Sequence, residues 1–308
     1  MVSPTARPII IDTDPGIDDA LALFLACASP EIEIRAITTV AGNVGINRTT
    51  RNAGALMALA GRADVPVYRG AEKPLVGTWT TIEDTHGQNG IGGVQLPEAP
   101  QNGNGHAVDA LIDLLGNAPP NSQTVVLLGP QTNMALALQR KPEIAKAVRE
   151  FVLMAGSLDP NNGNSSRYAE FNVHVDPEAA RIVAAAGRPM FWAPLEVARQ
   201  ASVDRAWIDS LRRSGRPCGK AGAEMMDFYL RSFDKPAAAL YDPLAVLWLI
   251  APQLFDARPA GLEIETKDQE RAGQTRFDLA HPKSEIRVAV ACKDADVRAF
   301  MLERLTKL

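Results

Sequence analysis

The 308-residue chain is short of several things that would define a class outright. Its three cysteines, Cys27, Cys218 and Cys292, are odd in number and far apart, and no CxxC pair occurs. A disulfide framework and a thiolate zinc site are therefore not expected, and a reducing, cytoplasmic setting is. There is no long run of Lys or Arg, and the net charge is −4, which argues against a nucleic-acid groove or an anionic membrane surface as partner. The longest apolar stretches, such as PLAVLWLIAP (243–252), are shorter than the ~20 residues that cross a bilayer. The N-terminal MVSPTARPIIID lacks a signal-peptide pattern. Internal repeats, low-complexity segments and a clear linker are also missing, so residues 1–308 are read as a single domain. What is present is a 46% apolar composition, enough to bury a large core.

The first two-thirds alternates strand-like and helix-like stretches. RPIIID (7–12) precedes a helical IDDALALFLACAS (17–29), and EIEIRAITTVAG (31–42) precedes NRTTRNAGALMALAG (47–61). VPVYRG (65–70), QTVVLLGP (123–130), REFVLMAG (149–156) and PMFWAPLEVA (189–198) read as further strands, with helices at 132–141 and 177–187. Apolar runs bounded by turns, each followed by a helical period, predict an α/β fold: an open, mostly parallel sheet with helices on both faces. Two long loops, about 71–105 and 157–173, interrupt the order and are candidates for function. The C-terminal part reads as irregular and mainly helical (202–213, 219–234, 242–250), with a hairpin at 261–279, a strand at 285–292 and a last helix.

The stretch DTDPGIDDA (12–20) puts Asp12, Asp14, Asp18 and Asp19 into eight positions, at the end of the first strand. In an open parallel sheet, ligands bind beyond the C-terminal strand ends. Asp12 and Asp14 share a side if the chain stays extended. Asp18 and Asp19 fall in the first turn of a helix, where the macrodipole favours negative charge. Capping accounts for one or two aspartates and not for four; so many carboxylates point to a hard divalent cation, Ca²⁺ or Mg²⁺, with capping and turn formation as the alternative. The EF-hand pattern fails, because Ile17 stands where that loop needs Gly. Haloacid-dehalogenase-like phosphatases also open on a strand and DxD, but Pro15-Gly16 and a second aspartate pair follow here.

Later polar clusters are each ambiguous. Asn43 suits a turn, Asn172 a cap before a helix, and Asp242 an ordinary N-cap with Pro243 at N1. Together they form a series: PIIIDTDPGIDDALAL, GNV, HGxxGIG, GPxTNxA, AEFN followed by DPEAA, and DPLA. This series resembles the nucleoside hydrolase family of the inosine-uridine-preferring type, over about residues 8–250. The resemblance implies Ca²⁺-dependent hydrolysis of the N-glycosidic bond of ribonucleosides. It implies Ca²⁺ ligands at Asp14, Asp19, Asp242 and the Thr132 carbonyl, with Asp14 also the general base on water and Asp12 supporting the loop. Asp18 and Asn43 would hold the ribose 2′ side, and Asn164, Glu170 and Asn172 the 3′ and 5′ hydroxyls, with Met154 packed nearby. A ribonucleoside is the implied partner, and a homodimer or homotetramer the implied assembly.

One departure matters chemically. The family's His-Asp is here Tyr241-Asp242. Tyrosine is a weaker acid than histidine by roughly 3.5 units in reference pKa. Three readings stand: Tyr241 as acid or only as a base-binding group; His86, in THGQNGIGG, as the acid; or a leaving base that needs little protonation. A binding role for Tyr241, with His86 at the base site, is preferred, against a solvated surface His86. His174 is read as packed before the helix at 177. Asn89 and Gln131 stand where Asp and Leu are common, and LEVAR (195–199) lacks a frequent threonine. Trp79 and Phe171 are candidates to stack on a base. The rival functions are hydrolysis of another N-riboside, such as nicotinamide riboside, and catalytically weak nucleoside or ribose binding.

Overall fold

The computed structural model describes residues 6–79, 81–98 and 102–308. In chain order the elements begin with β1 (Arg7–Thr13), α1 (Ile17–Cys27), β2 (Ile32–Thr39), α2 (Ile46–Leu59), β3 (Val67–Arg69), a single turn α3 (Glu83–His86) and α4 (Ala107–Gly116). β4 (Gln123–Leu127), α5 (Thr132–Arg140), β5 (Val148–Met154), α6 (Phe171–Val175), α7 (Pro177–Ala184), β6 (Met190–Ala193) and α8 (Leu195–Gln200) follow. The chain closes with β7 (Ser202–Asp204), α9 (Arg205–Arg213), α10 (Pro217–Ser232), β8 (Ala237–Ala239), α11 (Pro243–Ile250), β9 (Phe255–Ile264), β10 (Thr275–Cys292) and α12 (Asp294–Leu305).

Ile9, Ile10 and Ile11 of β1 are all fully buried, as a strand covered on both faces requires. Alternation divides them. Ile9 and Ile11 join a core with α1, α2, α10 and α11, while Ile10 joins a second core with α4, α5 and α7. The same split recurs in β4 to β6: Val126, Val152 and Phe191 face one side, and Val125, Phe151 and Trp192 the other. The eight-stranded sheet runs β3-β2-β1-β4-β5-β6-β10-β9, parallel except for β9 against β10. Its order reverses between β1 and β4, which places a crevice beyond Thr13 and Leu127.

The predicted parallel α/β sheet is present, with local differences. The strand read through 189–198 stops at Ala193; Pro194 has no N–H for the ladder, and α8 starts behind it. Helix α4 lay unread after the long loop. Residues 261–279 belong to a longer hairpin, and β10 runs unbroken to Cys292, where Ile286–Val288 pair in parallel with β6. The C-terminal third is thus helical but also completes the main sheet. Among the described residues no helix is long and apolar enough to cross a membrane.

Candidate active site

Asp12 and Thr13 end β1 beside β2, and Asp12 pairs in register with Thr38. The Asp12 carboxylate accepts from Thr38 Oγ1 (2.6 Å) and Asn133 Nδ2 (2.8 Å), both on the same oxygen. Asn133 also donates to the Thr39 carbonyl and accepts from Ala71 N, so it ties β1, β2 and the following loop together. The Asp12 side chain thus joins β1 to β2 and to the first turn of α5.

Asp14 follows the strand and is fully buried in a slot whose walls are backbone. A Cβ at Gly42 or Gly129 would overlap its carboxylate oxygens, so both positions need glycine for closeness. Asp14 Oδ2 accepts from Asn43 N at 2.7 Å, whereas Oδ1 is buried with no hydrogen-bond partner. Asp19 caps its own helix from Gly16 N (2.9 Å), and also accepts from Thr13 Oγ1 and Asn43 Nδ2. The capping reading thus holds for Asp19. For Asp242 it fails: this carboxylate stands at the N-cap of α11 but makes no capping bond. Oxygens of Asp18, Asp19 and Asp242 instead lie within 4.8 Å of one another. Asp14 is a close electrostatic neighbour of all three.

Burial is the main force on these acids, and mutual repulsion adds to it. It pushes Asp12 up to about 7, and Asp18 and Asp19 up to about 6. Asp14 and Asp242 are held well above the usual carboxylate range by burial and by the neighbouring aspartates. Among the described residues, no Lys or Arg forms an ion pair with them; the one nearby ionisable base is His86, its Nδ1 4.0 Å from Asp18. That nitrogen accepts from Ile17 N, so its proton sits on Nε2, and burial lowers its pKa to about 4. His86 is therefore buried rather than a solvated surface histidine, and its Nδ1 is committed to the start of α1. All the donors offered are oxygens, and orphaned oxygens remain on Asp12, Asp14 and Asp18. This set fits a hard divalent cation.

A cavity of about 430 Å³ opens in front of the cluster. Of the residues singled out from the sequence, Asp18, Asn43, His86, Met154, Asn164, Glu170, Asn172, Tyr241 and Asp242 line it, and so does Phe171. Asp14, Asp19 and Thr132 lie outside the lining and buried. Thr132 starts α5, and its hydroxyl donates to Asp176 at 2.7 Å. Each lining amide has one end committed to the fold. Asn172 donates to the Leu128 and Met154 carbonyls, and Asn164 accepts from Phe171 N. Glu170, rather than Asn172, caps α6, accepting from Asn172, Val173 and Gly156 N–H groups; burial raises it to about 7.

Trp79 does not line the cavity and donates to the Gly42 carbonyl instead. His174 is exposed rather than packed. Asn89 organises its Gly-rich loop by accepting from Ile91 and Gly93 N–H groups. Arg199, Met226, Tyr229, Phe233 and Lys235, none of them singled out individually from the sequence, also line the cavity. Arg199 was within reach of the strand-end rule, since it follows β6, but the strand had been read past its true end.

The chain matches the family model described as inosine-uridine preferring nucleoside hydrolase over residues 9–301. It is 38% identical over 304 residues to the pyrimidine-specific ribonucleoside hydrolase RihA of Salmonella gallinarum, covering 96% of each chain. A solved plant nucleoside hydrolase, the PpNRh1 enzyme, superposes with a TM-score of 0.90 at 32% identity, over 98% of this chain and 99% of that one. The purine-preferring ribonucleoside hydrolase from Gardnerella vaginalis gives the same TM-score, 0.90, and identity, 32%, over 98% of both. The chain belongs to the nucleoside hydrolases of the inosine-uridine preferring family, and so to the N-glycosidases.

Proposed function

We propose that this nucleoside hydrolase cleaves ribonucleosides to free base and ribose with a bound Ca²⁺ ion and Asp14 as general base. The observation that carries the reading is the buried aspartate cluster, with orphaned oxygens and, among the described residues, no Lys or Arg paired with it, set against a cavity lined by amides and carboxylates. Asp14, Asp19 and Asp242 would hold the cation, with the Thr132 carbonyl. When bound, the cation offsets their repulsion and makes a nearby water a better nucleophile.

The protein's own groups then divide the work. Asp14 takes the water proton as the oxygen approaches C1′; the glycosidic bond stretches toward an oxocarbenium-like state. Asp18 and Asn43 face the 2′ side of the ribose, and Asn164, Glu170 and Asn172 the 3′ and 5′ hydroxyls. The free ends of the amides and the remaining lone pairs of the carboxylates give the sugar fixed partners and hold C1′ in line with the water. Met154 and Phe171 exclude bulk water from that side. Relatives whose names give opposite base preferences both match this chain over nearly its whole length, and we place the choice of base in the loops around 71–90 and 220–241, from which Ile82, Thr85, Met226, Tyr229 and Phe233 line the cavity.

Asp14→Ala tests the base assignment. Reducing-sugar release from uridine and inosine is expected to fall by at least about 10³-fold, while circular dichroism stays unchanged. A variant with near-normal kcat would refute the role.

A further inference from the structure

The cavity lining falls into two sets. One carries the acids, Asp18 from the first turn of α1, Glu170 from the N-cap of α6 and Asp242 from the N-cap of α11. The other comes from the end of α8 and from the α10–β8 segment, and it brings no carboxylate. It brings two cations, Arg199 and Lys235, and the hydroxyl of Tyr229. Arg199 stands in the last turn of α8, just beyond β6, with its guanidinium beside the Tyr241 hydroxyl. Neighbouring basic groups are neutralised: Arg205 and Arg212 pair with Asp227, and Arg298 with Asp294. Among the described residues, neither Arg199 nor Lys235 has a carboxylate at ion-pair distance. A planar donor with an uncompensated charge thus sits on the cavity wall, next to the tyrosine that replaces the family's histidine.

We propose that Arg199 is a catalytic residue, hydrogen-bonding a carbonyl oxygen of the departing base and stabilising that base as an anion. The proposal rests on the ribonucleoside hydrolase reading above. As the water oxygen bonds to C1′, its proton passes to Asp14. The C1′–N bond breaks, and both its electrons stay with the base. The charge spreads from the ring nitrogen to the conjugated carbonyl oxygen, where Arg199 donates. The released anion takes a proton from solvent, so no side chain need protonate it before departure. Tyr241 offers an O–H in the same place, and Lys235 adds charge. Aglycones with such a carbonyl, uracil for example, are favoured over adenine, which has none.

The test compares uridine with 4-nitrophenyl β-D-ribofuranoside, whose phenolate departs without help, in the wild type, Arg199→Gln and Arg199→Lys. The ratio of kcat/KM for uridine to that for the nitrophenyl riboside is expected to fall on the order of 100-fold in Arg199→Gln. Arg199→Lys, which keeps the charge but loses the planar fork, recovers part of it. Arg199 is exposed, so the variants are expected to fold, which circular dichroism checks. A ratio that stays constant, whether both activities survive or both drop alike, overturns the proposal. A wild type that cleaves the nitrophenyl riboside but no ribonucleoside also overturns it. If the wild type cleaves neither, the ribonucleoside hydrolase reading itself fails.

Discussion

Gly129→Ala is a small change that should displace Asp14 without replacing a polar side chain. Gly129 has no positive φ, so alanine brings no backbone strain. Its new Cβ would overlap Asp14 Oδ1 and stand 2.9 Å from Asp14 Cγ and 3.0 Å from Val40 Cγ1. Ordinary carbon contacts are about 3.5–4.0 Å, so the carboxylate must retreat by roughly 1 Å. On its far side, Oδ2 is held by Asn43 N at 2.7 Å, and the retreat strains that bond. Overpacking of this kind costs about 1–3 kcal/mol of stability. A misplacement near 1 Å costs on the order of 100-fold in rate. The assay is kcat/KM for uridine and inosine, with a thermal melt of the same samples. Gly45→Ala is the control, because its Cβ meets nothing within 4 Å; its activity is expected to stay within about twofold. Wild-type kcat/KM in Gly129→Ala would show that the Asp14 position is not critical and would refute the reasoning.

Two more outcomes follow from the same geometry. A site that pairs the ribose 2′-hydroxyl leaves buried groups unsatisfied when that hydroxyl is missing, so kcat/KM for 2′-deoxyuridine should lie on the order of 100-fold below uridine; equal values would remove Asp18 and Asn43 from that role. Metal-free protein should lose stability as pH rises. Asp12 and Glu170 have folded pKa values raised to about 7 and Asp18 and Asp19 to about 6, all above their unfolded values. Their contribution is therefore fully present below about pH 4 and is lost as pH climbs through 6 to 7, with Asp12 alone worth on the order of 4 kcal/mol. Exposed carboxylates held low by ion pairs, such as Asp64, act in the opposite sense but weakly. Melting in chelator between pH 4.5 and 8 reads the sum; a Tm that rises steadily over that range would contradict it.

The sheet was legible because its central strands are continuous apolar runs, such as Ile9–Ile11, each followed by a helical period. The site was legible because the strand-end rule puts DTDPGIDD at the crevice and because the later motifs keep their order. Residues whose role is set by tertiary contact were harder. Asp242 reads as a cap by position, yet its carboxylate makes no capping bond and turns to Asp18 and Asp19. Asn172 reads as a cap, yet Glu170 supplies the capping oxygens. Arg199 and Lys235 carry no local pattern at all: they reach the cavity only because α8 and the segment before β8 fold over it. His86 could be placed on a Gly-rich loop but not buried there, since its contact with Ile17 N spans 69 residues of sequence.

The measurement closest to the central claim is a Ca²⁺ titration of chelator-stripped protein, with metal content, Ca²⁺ binding by calorimetry and ribose release from uridine followed together. Release is expected to vanish on stripping and to return in step with the filling of one site, and Asp242→Asn is expected to weaken that binding. Full release from protein shown by elemental analysis to be free of metal would contradict the claim that the buried aspartates exist to hold a cation.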